Sequence, residues 1–395
     1  MGVFSRATAN DRSSIRALMV STRAFPDAGG VETHIHEVAP RLVRMGVSVS
    51  VATTDPRGRF PADEWIDGVH IRRFPGWPDT RDYTLAPQIY RTIKRERWDL
   101  VHCQGIHTLI PPLAMLAAWR ARIPYVVTLH SGGHSSRVRN ALRIAQWWAL
   151  RPLLTQAARL IAVSMFEADL FSRQLRLPME RFAVIPNGSD LPPPTSELPA
   201  RRRERLILSI GRLERYKGHH RVIAALPAVL RAYPDARLEI IGGGPYEPQL
   251  RQLAQRLGVV ERVEIRELPA NDRAGMANLL ARAGLLVLLS EYESQSITVM
   301  EALAAGCPVV ATHTTALRPL ARDGWIQAVP LRCSANEIAA AIIGQLNDHI
   351  LPGTLPVPRW DECASDLHGV YRQIVSSAPR GEARATSARG LYQVL

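Results

Sequence analysis

Short apolar runs rich in β-branched residues alternate along the chain with longer stretches of helical periodicity. In the first half the runs are IRALMVS (15–21), VSVSVAT (47–53), VHIRRF (69–74), DLVHC (99–103), YVVTLH (125–130), RLIAVS (159–164) and FAVIP (182–186). Such runs read as buried strands, and segments such as VETHIHEVAPRLVRMG between them read as helices. LPPPTSELPA (191–200), with four prolines in ten residues, breaks the pattern and reads as a linker. Alternation restarts with RLILSIG (205–211), RLEIIGG (237–243), RVEIREL (262–268), LLVLLS (285–290) and PVVAT (308–312). Strand–helix alternation at this spacing predicts parallel sheets. The expected fold is therefore α/β, two doubly wound Rossmann-like domains facing a cleft. The first domain covers 1–190, the linker 191–200 and the second domain 201–355. A last helix near 359–375, in a segment 356–376, is expected to pack back on the first domain. The tail 377–395 lacks a core pattern and is expected to be disordered.

Composition narrows this picture. At 395 residues the chain exceeds what one core usually serves. No apolar run approaches the roughly 18 residues of a membrane span. The start, MGVFSRATANDRSSIRA, is polar and lacks a signal-peptide core, so cytoplasm is the expected compartment. Cysteines at 103, 307, 333 and 363 have no CxxC spacing, which signals neither a zinc site nor a disulfide framework. The net charge is +13, and residues 1–190 hold 25 Lys+Arg against 16 Asp+Glu. Such a field suits phosphates, nucleic acid or an anionic membrane. Aromatics at 6% and the lack of an RNA-binding motif count against nucleic acid. RVRNALRIAQWWALRPLL (137–154) mixes arginines with paired tryptophans. It reads either as an interfacial helix at the inner face of an anionic membrane or as a packed helix with snorkelling arginines.

In open parallel sheets ligands bind beyond the carboxyl ends of the strands, so the segments there carry the candidates. SEYESQSITVMEALAAGCPVV (290–310) predicts a strand end, a loop, a short helix closed by Gly306, and the next strand. Ser294 and Ser296 are candidate N-caps. Glu293 falls in the loop and Glu301 about one turn into the helix. A loop between them lets both carboxylates bracket one ligand, and acceptor-only groups suit polyol hydroxyls. The plainer reading has Glu293 capping the helix and Glu301 reaching solvent. SIGRLERYKGHH (209–220) sets Arg212 and Lys217 five apart in a loop opening a helix, a candidate diphosphate seat. Only two lysines exist, Lys94 and Lys217. FPDAGGVETH (25–34) offers Gly29 and Gly30 just before a helix, where backbone can approach an anion. GxGxxG, GxxxxGK[ST], GxSxG and HExxH are all absent. His130, in TLHSGG, is expected to contact substrate, whereas His102 reads as a satisfied core histidine. VIPNGSD (184–190) reads as a sharp reversal at Asn-Gly.

Together these segments resemble glycosyltransferase family 4, retaining enzymes of the GT-B architecture, over nearly the whole chain. GRLERYKG is similar to the family's G-R-L-x-x-x-K-G, and VIPNGSD to its I-P-N-G-V-D. SEYESQSITVMEALAAGCPVV resembles S-x-Y-E-G-F-G-x-x-x-x-E-A-M-A-x-G-x-P-V-V. The resemblance implies that Arg212 and Lys217 hold the donor diphosphate and stabilise the leaving group. It implies that Glu301 accepts from ribose hydroxyls and that Glu293 holds the sugar beside the anomeric carbon. The Gly29–Gly30 amides would approach the diphosphate, and His130 would contact the transferred sugar. No metal or resident cofactor is implied; the co-substrate is a nucleotide-diphosphate sugar, and the acceptor a hydroxyl on a glycolipid, polysaccharide or natural product. Two departures stand out. Ser294-Gln295-Ser296 replaces G-F-G, leaving Gln295 to a sugar hydroxyl, and HTTALRPLARDG replaces a Gly-Gly turn after PVVAT. Alternatives at this point are a nucleotide-sugar epimerase or phosphorylase on the same architecture, or a nonenzymatic nucleotide-sugar binder.

Overall fold

The computed structural model describes residues 14–27, 29–79, 83–132, 137–195, 204–269, 271–347 and 357–377. Part of the linker (196–200) and nearly all of the tail (378–395) lie outside these residues.

The first domain runs β1 (Arg16–Val20), α1 (Gly30–Arg44), β2 (Ser48–Thr54), β3 (Asp63–Ile66), β4 (Val69–Phe74), α2 (Pro87–Arg95), β5 (Leu100–Gln104) and α3 (Ile110–Ala121). It continues with β6 (Tyr125–Thr128), α4 (Arg137–Gln156), β7 (Arg159–Ala162), α5 (Met165–Leu175) and β8 (Phe182–Val184). The second runs β9 (Leu206–Ile210), α6 (His219–Ala232), β10 (Arg237–Ile241), α7 (Glu247–Arg256), β11 (Val263–Arg266) and α8 (Arg273–Arg282). Then follow β12 (Leu285–Leu288), α9 (Ile297–Ala304), β13 (Val309–Thr312), α10 (Leu317–Arg322), β14 (Gln327–Val329) and α11 (Ala335–Asn347), before α12 (Trp360–Ser377).

The sheets have the orders β3-β4-β2-β1-β5-β6-β7-β8 and β11-β10-β9-β12-β13-β14. Every pairing is parallel except β3 with β4. The central strands are buried along their whole length, as expected when helices cover both faces of a sheet. Strand order reverses beside β1 in one sheet and beside β9 in the other, which makes each domain doubly wound with a switch point there.

Two strands escape the sequence reading. β3 alternates exposed and half-buried residues and carries little apolar signal. It is set by the Asp67–Gly68 turn, where φ is +49° and +79°, the two left-handed residues of a tight hairpin. β14 is only three residues long.

α12 leaves the second domain and lies against α1, with Trp360 and Tyr371 fully buried in the core of the first domain. The crossing explains VIPNGSD differently from a reversal. Gly188 is not in the left-handed region; instead a Cβ there would lie 2.2 Å from the Trp360 backbone nitrogen. Asp190 Oδ1 caps α12 by accepting from Trp360 N at 2.6 Å, and Pro358 O accepts from Ser189 N at 3.0 Å.

Candidate functional site

Both switch points open onto one cleft of about 770 Å³ between the domains, within the usual range for small-molecule sites. The first domain contributes the N-terminal turn of α1. Its N-cap is Gly29, with no side-chain cap, so the first free amides point into the cleft. A Cβ on Gly29 would meet the Glu32 carboxylate at 2.2 Å, whereas Gly30 has open space around it. The second domain contributes the loop after β9. Gly218 ends its short 3-10 turn at φ +79° and serves as the uncapped N-cap of α6. A side chain there is doubly excluded, because its Cβ would lie 2.2 Å from Leu289 O.

Lys217 and Glu293, drawn from two different loops, form an ion pair at 2.7 Å with side chains only 17% and 8% exposed. Burial works against the Lys217 ammonium, but Glu293 and the Tyr216 hydroxyl outweigh it and raise its pKa. Arg212 Nη2 donates to Glu214 Oε1 at 2.7 Å. The Glu293 backbone is clamped by the loop that replaces the Gly-Gly turn. Glu293 N donates to Thr315 Oγ1 at 2.8 Å, and Ala316 N donates to Glu293 O at 3.2 Å.

Glu301 lines the cleft from within α9 and is 2% exposed. Its carboxyl pKa is raised by burial, and Arg273 opposes the rise by donating at 2.6 Å. Arg273 also approaches Glu37 of α1 at 3.4 Å, and Glu37 in turn holds Arg41. An ion chain therefore links α9 and α8 to the first domain. Ser296 is the N-cap of α9, accepting from Val299 N at 3.4 Å, and Gly306 follows the C-cap Ala305 at φ +63°.

Ser294 and Gln295 mark the seam between domains. Ser294 O accepts from Ser164 Oγ at 2.6 Å. Gln295 differs from the sequence reading: its amide does not stand free for a sugar hydroxyl. Its oxygen accepts from Asn187 N at 2.7 Å and its nitrogen donates to Asn187 O at 3.2 Å. With Gln in place of the aromatic residue at 295, a side-chain amide pairs with the Asn187 backbone and satisfies both of its polar groups.

His130 stands at the end of the turn after β6, in a left-handed conformation with φ +45°. Its Nε2 donates to Gln104 Oε1 at 2.8 Å, which leaves Nδ1 as the acceptor. Burial, followed by His34, His102 and His107, pushes its pKa well below the ordinary imidazole value, so it is neutral. His34 packs edge-on against it at 4.9 Å between ring centres, and Asn187 Oδ1 lies 2.8 Å from His34 Nδ1. His102 lies deeper, bonded to Tyr371 and Thr128 at 2.6 and 2.7 Å. Ser131, next to His130, is pinned by Glu167, a wholly buried carboxylate that accepts from Ser131 N at 2.5 Å and Val163 N at 2.9 Å.

The cleft thus brings together Gly29, Gly30, His130, Arg212, Lys217, Glu293, Ser294, Gln295, Ser296 and Glu301. Gln104 and Arg273 also line the cleft and were missed by the sequence reading, as were Glu37 and Glu167, which lie behind it and hold Arg273 and Ser131. Gln104 ends a strand, where the carboxyl-end rule applies. Arg273 follows the Asp272 N-cap of α8 in a segment with no motif. Among the described residues no group of three or more His, Cys, Asp or Glu is placed to hold a metal ion.

Known proteins match the chain over most of its length. Residues 28–192 match Glycosyltransferase Family 4, and residues 196–353 match Glycosyl transferases group 1. A D-inositol 3-phosphate glycosyltransferase of Nocardiopsis dassonvillei is 31% identical, covering 90% of this chain and 91% of the relative. A phosphatidyl-myo-inositol mannosyltransferase of Mycobacterium tuberculosis is 29% identical over 93% of this chain and 99% of its own. Among solved structures, Anabaena Alr3699/HepE in complex with UDP-glucose superposes with a TM-score of 0.67 at 19% identity, covering 92% of this chain and 98% of that one.

Proposed function

The chain belongs to glycosyltransferase family 4, and from that premise we propose that it moves a hexosyl group from a nucleotide-diphosphate sugar to a hydroxyl acceptor, with retention and without a metal. One observation carries this reading: the two cations and two carboxylates after β9 and β12 meet the α1 N-terminus across a single cleft.

The chemistry follows from the charges. A departing nucleoside diphosphate gathers negative charge, and fixed donors aimed at it lower the barrier. Lys217, Arg212 and the free amides of α1 and α6 are such donors. Glu301 accepts from the ribose hydroxyls, each charged hydrogen bond contributing about 1.5–3 kcal/mol. Glu293, held by Lys217 and Thr315, faces the oxocarbenium-like sugar. Neutral His130 presents Nδ1 as an acceptor to a sugar hydroxyl without repelling that cation. The acceptor attacks from the face that the diphosphate leaves, and a phosphate oxygen takes its proton, which retains configuration. Hexosyl transfer is consistent with the mannosyltransferase and UDP-glucose relatives.

On the acceptor side, the names of the inositol-type relatives favour a glycolipid or a phosphorylated polyol over other hydroxyl acceptors. Peripheral contact with an anionic membrane from the cytoplasmic side would use α4, where Leu142, Ile144 and Trp148 are exposed and Arg151 and Arg176 flank Trp148 at 5.7 Å. No described helix is long and apolar enough to cross a membrane.

A donor screen across UDP-, GDP- and ADP-sugars, read by mass spectrometry, tests the reading, with product configuration assigned by NMR. Calorimetry that detects no donor binding would defeat it. An inverted product would remove retention alone, and activity abolished by EDTA would remove metal independence.

A further inference from the structure

The loop after β12 carries Glu293, and first-domain residues grip it on both sides of that carboxylate. One position before it, Tyr292 Oη lies 2.7 Å from Oγ of Ser131, the residue next to His130. One position after it, Ser294 O accepts from Ser164 Oγ at 2.6 Å. Two positions after it, the Gln295 amide spans the seam: Asn187 N donates to its oxygen at 2.7 Å, and its nitrogen donates to Asn187 O at 3.2 Å. The amide thus meets the N–H and C=O of one residue as a neighbouring strand would, which fixes the orientation of the loop as well as its distance.

The far end of this link does not yield. Asn187 is buried, and α12 holds the backbone beyond it, because Gly188 packs on the Trp360 nitrogen and Ser189 N donates to Pro358 O. Its side chain passes the contact on. Asn187 Oδ1 accepts from His34 Nδ1 at 2.8 Å, and the His34 ring packs edge-on against His130 at 4.9 Å between centres. His34 is itself buried within α1. The Glu293 loop and His130 are therefore joined twice, once through Tyr292 and Ser131 and once through Gln295, Asn187 and His34. Phenylalanine, the residue of the family motif at 295, has no side-chain donor or acceptor to offer the Asn187 backbone. The second path depends on the glutamine of this chain.

We propose that Gln295 is a positioning residue for sugar transfer: by docking the loop after β12 on Asn187, it sets the placement of Glu293 relative to His130. The proposal rests on reading the cleft as a transferase site. Gln295 acts on the transition state through two other side chains and touches no part of the donor. Arg212 and Glu301, assigned to the diphosphate and the ribose, are held by Glu214 and Arg273 and stay in place without it.

The test compares the full chain with Gln295→Leu, which keeps the bulk and removes both hydrogen bonds. On the donor that the screen identifies, kcat for transfer or hydrolysis is expected to fall tenfold or more, since misplacing a reacting group by about 1 Å can cost on the order of 10²-fold. The KM for the donor and the calorimetric affinity for its nucleoside diphosphate are expected to stay within threefold of the parent. In protein labelled at histidine Cε1, the His130 NMR signal, assigned with His130→Asn, is expected to shift in Gln295→Leu. Should that variant not fold, Gln295→Asn, whose amide is one methylene shorter, is read in the same way. A kcat within threefold of the parent, with or without a lower melting temperature, would overturn the proposal, and so would an unmoved His130 signal. A tenfold rise in donor KM with nucleoside diphosphate affinity unchanged would also overturn it and return Gln295 to direct contact with the sugar. If the parent chain turns over no donor, the transferase reading fails instead, and the His130 signal alone decides whether Gln295 places that ring.

Discussion

Replacing Lys217 by Gln separates the two tasks its position suggests. The ammonium sits 2.7 Å from Glu293 in a site where both side chains are largely shielded. Breaking a fully buried pair costs about 3–5 kcal/mol, because one charge is left unmatched. The 17% exposure of Lys217 lets water reach Glu293, so a stability loss of about 1–2 kcal/mol is expected. If Lys217 also meets the leaving group, removal of one preorganised donor lowers kcat by about 10²–10³-fold, or roughly 2.7–4 kcal/mol of barrier. A double-mutant cycle with Glu293→Gln decides between the tasks. If Lys217 only positions Glu293, Lys217→Gln costs little more once Glu293 is neutral. If it stabilises the diphosphate, most of the kcat loss persists in the double variant. Lys217→Arg is expected not to restore the rate, since a planar, branched guanidinium does not reproduce the compact ammonium held 2.7 Å from Glu293. The assay is single-turnover transfer alongside urea denaturation of each variant. A Lys217→Gln enzyme within threefold of the parent kcat would refute the leaving-group role.

Three further outcomes follow from the same geometry. Glu301→Ala should lose about tenfold or more in donor affinity and should no longer distinguish a ribose donor from its 2′-deoxy analogue, read by inhibition with the two nucleoside diphosphates. Gly218→Ala should destabilise the second domain by more than about 2 kcal/mol and abolish donor binding, since φ +79° and the Leu289 carbonyl both oppose a side chain; an unchanged melting temperature would contradict it. Acid should destabilise the protein through its buried histidines. His34 and His219 are held near 4 by burial, below the ordinary 6.5, so the unfolded chain binds more protons between those values. Stability is therefore fully present above pH 6.5 and falls by about 1.4 kcal/mol per pH unit per histidine toward pH 4. His34→Gln should flatten that slope in denaturation curves at pH 7 and pH 5, and an unchanged slope would count against the account.

Much of the architecture was legible because its signals are local. Twelve strands announced themselves as apolar runs, since central parallel strands are buried on both faces and need no alternation. β3 and β14 did not: β3 has no fully buried residue and β14 is three residues with one buried, whereas the edge strands β8 and β11 lie within longer apolar runs, FAVIP and RVEIREL. The Asp67–Gly68 dipeptide was the one cue available for β3. Among the site residues, Glu293, Glu301, Arg212 and Lys217 stood in motifs whose order along the chain identified the family. Arg273 and Gln104 stood in none. Gln295 was assigned to the sugar because sequence shows a side chain's capacity for hydrogen bonds but not which groups already satisfy it.

The amino-acid sequence alone determined the two parallel α/β blocks, the helix starts that open into the cleft and the family. These depend on periodicity and on backbone conformations that glycine permits locally. Only the tertiary structure decided which charges meet. Lys217 and Glu293 are 76 positions apart, Gln295 and Asn187 are 108 apart, and Tyr371 reaches His102 across 269. Nothing in a local pattern encodes such distances, because they depend on two domains closing and one helix returning. The burial that makes His130 neutral likewise comes from tertiary packing, beside His34, His102 and His107 from three other segments.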